Sequence, residues 1–325
     1  MLRYGWACAL VVASSASLAD ESREDAWWTG PMLAASAATL PQGHWLVEPY
    51  AFDIISDGHF DSDGHRHEGP YEHDLGSLTY MLYGATDRLT IGIIPRFLYE
   101  EPAGAPNSSG VGDLTLQAGY GLTQFQDGHS VPAISVVVQE TLPTGRYDRL
   151  SRASDGVGAG AYSSALALYS QDYFWMPNGR ILRTRLDLTY AISSSVSVHD
   201  LSVYGTTNGF SGHASPGDSF NADASAEYSV TRNWVLALDV VYQHNDSTQV
   251  SGAQAPLGAL APQGGLLVPP PFASASGASW SLGFAPAIEY NFSSRIGVLL
   301  GVRVIRIGSN TSSTVTPALA VNMVF

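Results

Sequence analysis

Four histidines crowd into one acidic segment, Asp57 to Asp74, which reads D-G-H-F-D-S-D-G-H-R-H-E-G-P-Y-E-H-D. His59, His65, His67 and His73 stand there among Asp57, Asp61, Asp63, Glu68, Glu72 and Asp74. Imidazole nitrogens mixed with carboxylates suit zinc, nickel or copper rather than an all-oxygen cation. The spacing matches no tight metal site. The segment therefore reads as a solvated acidic surface loop, with its four histidines as candidate metal ligands.

A second chemical set is spread along the chain: Arg96, Glu100, Asp113, Arg183, Arg185, Asp187, Asp223, Glu227, Asp239, Glu289 and Arg303. Several of these alternate with large apolar residues, as Arg183, Arg185 and Asp187 do with Leu182, Leu186 and Leu188. On a strand, that spacing gathers charge on one face and apolar bulk on the other. Ionisable groups on the inner face of a barrel must pair or meet water. There they either set the preference of a channel or rigidify a filled lumen. A third segment, 252–276, is apolar instead, with Leu257, Leu260, Leu266, Leu267, Val268 and Phe272. It is expected to pack on neighbouring loops, contact lipopolysaccharide, or fold into the barrel mouth.

Enzyme signatures are weak. Gly217-Asp218-Ser219 matches the start of one hydrolase class but has no companion histidine block. No nucleophile elbow, phosphate-cradling loop or paired His-Glu zinc helix occurs. The chain is not expected to be an enzyme, and no cofactor is expected.

The elements that must position these residues are long strands. In 234–244, Trp234, Leu236, Leu238, Val240 and Tyr242 oppose Ala237, Asp239 and Gln243. In 278–292, Trp280, Leu282, Phe284, Pro286, Ile288, Tyr290 and Phe292 oppose Ser279, Ser281, Gly283 and Glu289. The last stretch, Ser313 to Phe325, keeps the same period, with Val315, Pro317, Leu319, Val321, Met323 and Phe325 on one face. Similar segments recur from His44 onward, giving about twelve strands, within the range of bacterial barrels. Each is roughly a dozen residues, longer than an ordinary strand and suited to a tilted membrane crossing. Aromatics near the strand ends share the apolar face, as in a lipid-facing girdle.

Connections alternate in length. They are short near 86–88, 124–129, 172–179, 231–233 and 293–295. They are long near 56–73, 101–111, 143–156, 194–217 and 247–277. Long loops on one side and short turns on the other is the outer-membrane arrangement, with the short turns periplasmic. A free terminal strand would fray, so Ser313–Phe325 is expected to close the barrel against the first strand near Trp45 and the penultimate one near Val302. The fold class is all-β: a transmembrane antiparallel up-and-down β-barrel.

Composition agrees. Charged residues make up only 14% of the 325, and the net charge of −14 comes with no lysine at all. Without a basic stripe, nucleic acid is not an expected partner. Residues 1–19 combine Arg3, an apolar run through Val12 and the exit S-A-S-L-A, as in a secretory signal peptide cleaved after Ala19. Cys8, the one cysteine, lies inside this segment, so the mature chain is thiol-free. Residues 20–42 read as a periplasmic leader, helical or irregular, at the barrel's periplasmic mouth. Residues 43–325 read as the barrel.

Five motifs carry a resemblance: L-P-Q-G-H-W-L-V-E-P-Y (Leu40 to Tyr50), A-T-D-R-L-T-I-G (Ala85 to Gly92), G-V-G-D-L-T-L-Q-A-G-Y (Gly110 to Tyr120), Q-E-T-L-P-T-G (Gln139 to Gly145) and the terminal Phe325. In order and spacing the chain resembles the outer-membrane family named after the meta-pathway of phenol degradation, often called transporters. The resemblance implies a β-barrel that passes hydrophobic or aromatic compounds across the outer membrane of a Gram-negative bacterium. It also implies a terminal Phe325 read by the barrel-insertion machinery. The acidic histidine segment has no counterpart in the family pattern.

The expected function is thus passive outer-membrane passage of small hydrophobic solutes, with outer-membrane lipid as surroundings. The alternative is a non-transporting surface or structural barrel whose His-rich loop binds metal or partners.

Overall fold

A computed structural model describes residue 22 and residues 25–101, 107–126, 131–255 and 270–325. The expected signal segment 1–19 and the apolar run 256–269 lie outside the described residues. Among those described, no helix is long and apolar enough to cross a membrane. The crossing is made by strands.

Twelve antiparallel strands close into a barrel. They are β1 (Trp45–Phe60), β2 (Arg66–Thr86), β3 (Leu89–Ile94 and Arg96–Glu101, broken at Pro95) and β4 (Ser108–Val111 and Leu114–Thr123, broken at Gly112-Asp113). Then come β5 (Ala133–Leu142), β6 (Ser163–Trp175), β7 (Ile181–Ser193), β8 (Ser219–Ser229) and β9 (Trp234–Asn245). The last three are β10 (Ser279–Asn291), β11 (Ile296–Ser309) and β12 (Thr311–Val324). Pro95 has no N–H to give a ladder, which accounts for the break in β3. Each strand pairs with its chain neighbours, and β1 pairs with both β2 and β12. The seam is sealed to the last residue, since Trp45 and Phe325 exchange both backbone hydrogen bonds, at 3.2 and 2.9 Å. Val302 stands opposite Pro317 on β12. The terminal stretch is therefore the closing strand.

Alternation sorts the two faces. On β9, Val235, Ala237, Asp239 and Val241 are buried inward, while Trp234, Leu236, Leu238 and Tyr242 are exposed. Leu236, Ile288, Leu300 and Leu319 are successive partners across four strands, and all four are exposed. A contiguous apolar belt of this kind is stable only against lipid. Aromatic clusters flank it. Trp234 packs on Tyr290 at 4.6 Å and Trp45 on Tyr83 at 4.7 Å near the short-turn end, and Tyr242 stacks on Trp280 at 6.3 Å near the other. The molecule is an outer-membrane β-barrel of the Gram-negative type, and its short-turn end is the periplasmic one.

The turns at that end are set locally. Gly179 adopts φ +74° in the Met176–Gly179 turn. Thr231 and Ser293 each accept two backbone N–H groups of the turn that follows them.

At the opposite end, two expected loops differ. Segments of 194–217 and 247–277 form a second antiparallel sheet of four strands, Val196–His199, Phe210–Ser215, Gln249–Gln254 and Pro271–Ala275. Its core is Val198, Phe210, Ala214 and Val250, with Phe272 against Phe210 at 5.4 Å. These strands are short and pair between loops far apart in sequence, so no local hairpin signal announces them. The expected loop around 56–73 is also mostly strand. β1 and β2 run on past the membrane and meet at a tight turn near Asp61–His65. Gly58 is required in that extension, because a Cβ there would lie 2.2 Å from the His67 carbonyl oxygen.

Candidate functional site: the plugged lumen

The leader, expected at the periplasmic mouth, runs into the barrel instead as an irregular extended segment. Small wall residues make room for it. Met32 is buried among Ala237, Ala285, Ala287, Leu299, Ala318 and Ala320. Ala37 is buried with Phe125, Ala133, Val137, Ala167 and Tyr169.

An irregular segment cannot satisfy its own N–H groups, and inward carboxylates supply the acceptors. Glu289 accepts from Thr29 N at 2.7 Å and Gly30 N at 3.2 Å. Asp239 accepts from Met32 N at 3.0 Å and Ala34 N at 3.1 Å. Asp187 accepts from Ala35 N at 2.6 Å, and Arg185 donates to the Ala34 carbonyl at 2.7 Å. Hydrogen bonds to charged groups contribute about 1.5–3 kcal/mol each, so this row anchors the segment firmly. Beneath it, Arg183 forms a two-armed ion pair with Glu227, and Arg185 lies 3.3 Å from the same carboxylate. Trp28 covers the Arg183 guanidinium at 4.5 Å.

The predicted inward set therefore divides in two. Arg183, Arg185, Asp187, Asp223, Glu227, Asp239 and Glu289 converge in the barrel interior, none more than 7% exposed. Arg303 joins them at its edge and donates to Gln243 at 2.6 Å. Arg96, Glu100 and Asp113 belong to the outer half, on β3 and β4. Asp113 accepts from Gly145 N at 2.8 Å and Ala159 N at 2.7 Å, and so ties the 143–162 connection across the mouth.

Two cavities result. One, of 360 Å³, lies between the leader (Thr29 to Leu40) and a wall that includes Tyr80, Tyr169, Asp187 and Asp223. The other, of 660 Å³, lies outward of it, bounded by Arg96, Leu98, Asp113, Val157, Val203 and Tyr204. Tyr80 and Gln139 line both. Burial under the 143–162 connection pushes the Tyr204 hydroxyl up to about 12, so it stays a neutral donor.

The histidines are only partly brought together. His59 stacks on His67 at 5.3 Å across the β1–β2 pair, and His65 sits on the turn beside them. His73 lies farther down β2, bonded to Asp53 at 3.0 Å. The His67 imidazole and the His65 and Asp63 amides hold the Asp61 carboxyl down to about 2.

The leader's seat escaped the sequence reading, although one signal was present. Gly84, Gly121, Gly297 and Gly301 stand at wall positions where a Cβ would meet Pro41, Thr39, Thr29 and Met32. Only the strand register turns these glycines into one track.

With the barrel and its lumen defined, family assignment follows. A family model described as the MetA-pathway of phenol degradation matches residues 53–287. The chain belongs to that family. Among solved structures it is similar to an outer membrane channel from Pseudomonas putida F1, at 16% identity, covering 90% of this chain and 99% of that one with a TM-score of 0.64. Lower similarity links it to the NanC porin (9% identity, 85% and 98% covered, TM-score 0.44) and to a TodX monoaromatic hydrocarbon channel (10%, 88% and 90%, 0.36). No curated protein sequence matches the chain.

Proposed function

We propose that the protein is a passive outer-membrane channel for small, mainly hydrophobic solutes, aromatic ones included. The observation that carries this reading is the hollow lumen. Two cavities are stacked along it, sharing Tyr80 and Gln139, and the inner one is bounded by a segment of the same chain rather than by a packed core. The outer cavity mixes apolar walls (Leu78, Leu98, Val157, Val203) with the tyrosines Tyr80 and Tyr204, the make-up of a site for a small apolar solute with a polar handle. Family membership and the resemblance to a channel support the same reading.

The leader then sets the constriction. Residues 1–19 would act as the cleaved export signal. β12 with Phe325 would be read by the insertion machinery, and the second sheet would meet lipopolysaccharide.

The test is flux. Purified protein in liposomes should accelerate entry of a small aromatic solute over protein-free liposomes and give conductance steps in planar bilayers. Absence of both would favour a non-transporting surface barrel.

A further inference from the structure

We propose that the tip of the β1–β2 hairpin binds one divalent transition cation of the zinc, nickel or copper class, through Asp61, Asp63, His65 and His67. The site stands apart from the lumen and does not depend on the channel reading.

Three donors already converge there, and a fourth, His67, borders one of them. Ligand atoms of Asp61, Asp63 and His65 all lie within 4.8 Å of one another. From Asp61 Oδ2, His67 Nε2 is 2.8 Å away and His65 Nδ1 is 3.8 Å away. Ligands bound at about 2.0–2.2 Å to one ion stand no more than about 4.4 Å apart. Asp61, Asp63 and His65 thus need only small side-chain rotations to close on a common centre, and His67 joins them by exchanging its direct bond to Asp61 for the ion.

The two oxygens of Asp61 divide the work. Oδ1 accepts the N–H groups of Asp63 and His65, both at 2.9 Å, and so fixes the turn. Oδ2 is left turned toward the imidazoles. The turn is braced from outside as well. Asn310 donates to the Asp61 carbonyl at 3.1 Å, and Ser309 donates to the Ser62 carbonyl at 3.0 Å. His59 stacks on His67 at 5.3 Å and limits its ring rotation. These ligands therefore stand on a pinned hairpin instead of a loose loop, which lowers the ordering cost of binding.

Donor chemistry selects the cation. Two imidazole nitrogens with two carboxylates favour a borderline metal over calcium or magnesium, which take oxygen shells. The site is open to solvent, so water completes the coordination and affinity falls well short of that of a buried structural zinc site.

The experiment is calorimetric titration of the intact chain, folded in detergent, with zinc chloride, nickel chloride and calcium chloride. Zinc or nickel should bind one ion per chain, and calcium should bind far more weakly. His65→Ala combined with His67→Ala should weaken zinc binding at least tenfold. His73→Ala, on the neighbouring His73–Asp53 pair, should leave it unchanged. The proposal is overturned if zinc gives no saturable uptake, if the double variant binds like the parent, if His73→Ala removes binding as well, or if calcium binds as tightly as zinc.

Discussion

Asp187 and Asp223 stand directly opposite each other on β7 and β8, both inside the barrel and both nearly fully buried. Like charges at opposed positions of a strand pair are unfavourable. Among the described residues, Asp187 Oδ1 and Asp223 Oδ1 take no hydrogen bond, and both side chains line the inner cavity. The two carboxylates thus weaken the wall where it bounds the inner cavity, on the proposed path of the solute. Asp223→Asn should therefore stabilise the folded barrel by about 0.2–1 kcal/mol while lowering its preference for cations over anions. Urea unfolding midpoints and reversal potentials in a salt gradient read the two effects. A variant less stable than the parent, with unchanged selectivity, would refute this assignment.

Arg183 and Glu227 have the opposite character. Their side chains pair with both arms at 7% and 0% exposure, closed over by Trp28. Removing one partner of such a pair leaves a buried charge uncompensated and costs about 3–5 kcal/mol. Glu227→Gln should lower the unfolding midpoint by that order and expose the leader to protease, since Trp28 rests on the freed guanidinium. An unchanged midpoint would mean that Glu289 or water balances the charge of Arg183.

Asp113 ties down the connection at the outer mouth. Its two bonds to Gly145 and Ala159 hold the connection that walls the larger cavity, and Gly158 fits beside it because a Cβ there would come within 2.6 Å of Asp113 Oδ1. Asp113→Ala removes both acceptors, so the connection should swing outward. Cleavage between residues 146 and 159 should quicken, and conductance should rise. If both stay at the parent level, other contacts hold the connection.

How far the sequence carries differs between wall and contents. Period-two alternation places the carboxylates on the inward face because a strand of β7 type offers only two faces, and Leu182, Leu186 and Leu188 claim one of them. The closing role of β12 follows from the same rule. The leader does not alternate. Ala34 to Ala38 are small all round, and the leader's partners Asp187, Asp239 and Glu289 lie more than 150 residues from the leader residues they bind. The extracellular sheet is hidden for the same reason, since its strands pair only after the loops have come together. His73 shows the limit of proximity in sequence. It lies only six residues from His67, yet strand geometry carries it down the hairpin to Asp53.

The leader's hold on the wall gives the sharpest test of the constriction. A Cβ at Gly297 would lie 2.0 Å from Thr29 Oγ1, and one at Gly301 would lie 3.1 Å from Met32 Sδ and 2.9 Å from the Ala287 Cβ. On β11 a side chain at position 297 meets the leader first, and one at 301 meets the wall residue Ala287 and the leader's Met32 together. Thr29 Oγ1 donates to Asn291 Oδ1 at 2.9 Å; Gly297→Val should break that bond and push the leader from its seat, and Gly301→Leu should displace it around Met32. Each variant should give larger conductance steps and faster proteolysis of residues 25–40. Leu300→Ala, a change on the outward face between them, should do neither. If Gly297→Val and Gly301→Leu fold, yet conduct and resist protease like the parent, the leader does not limit the path.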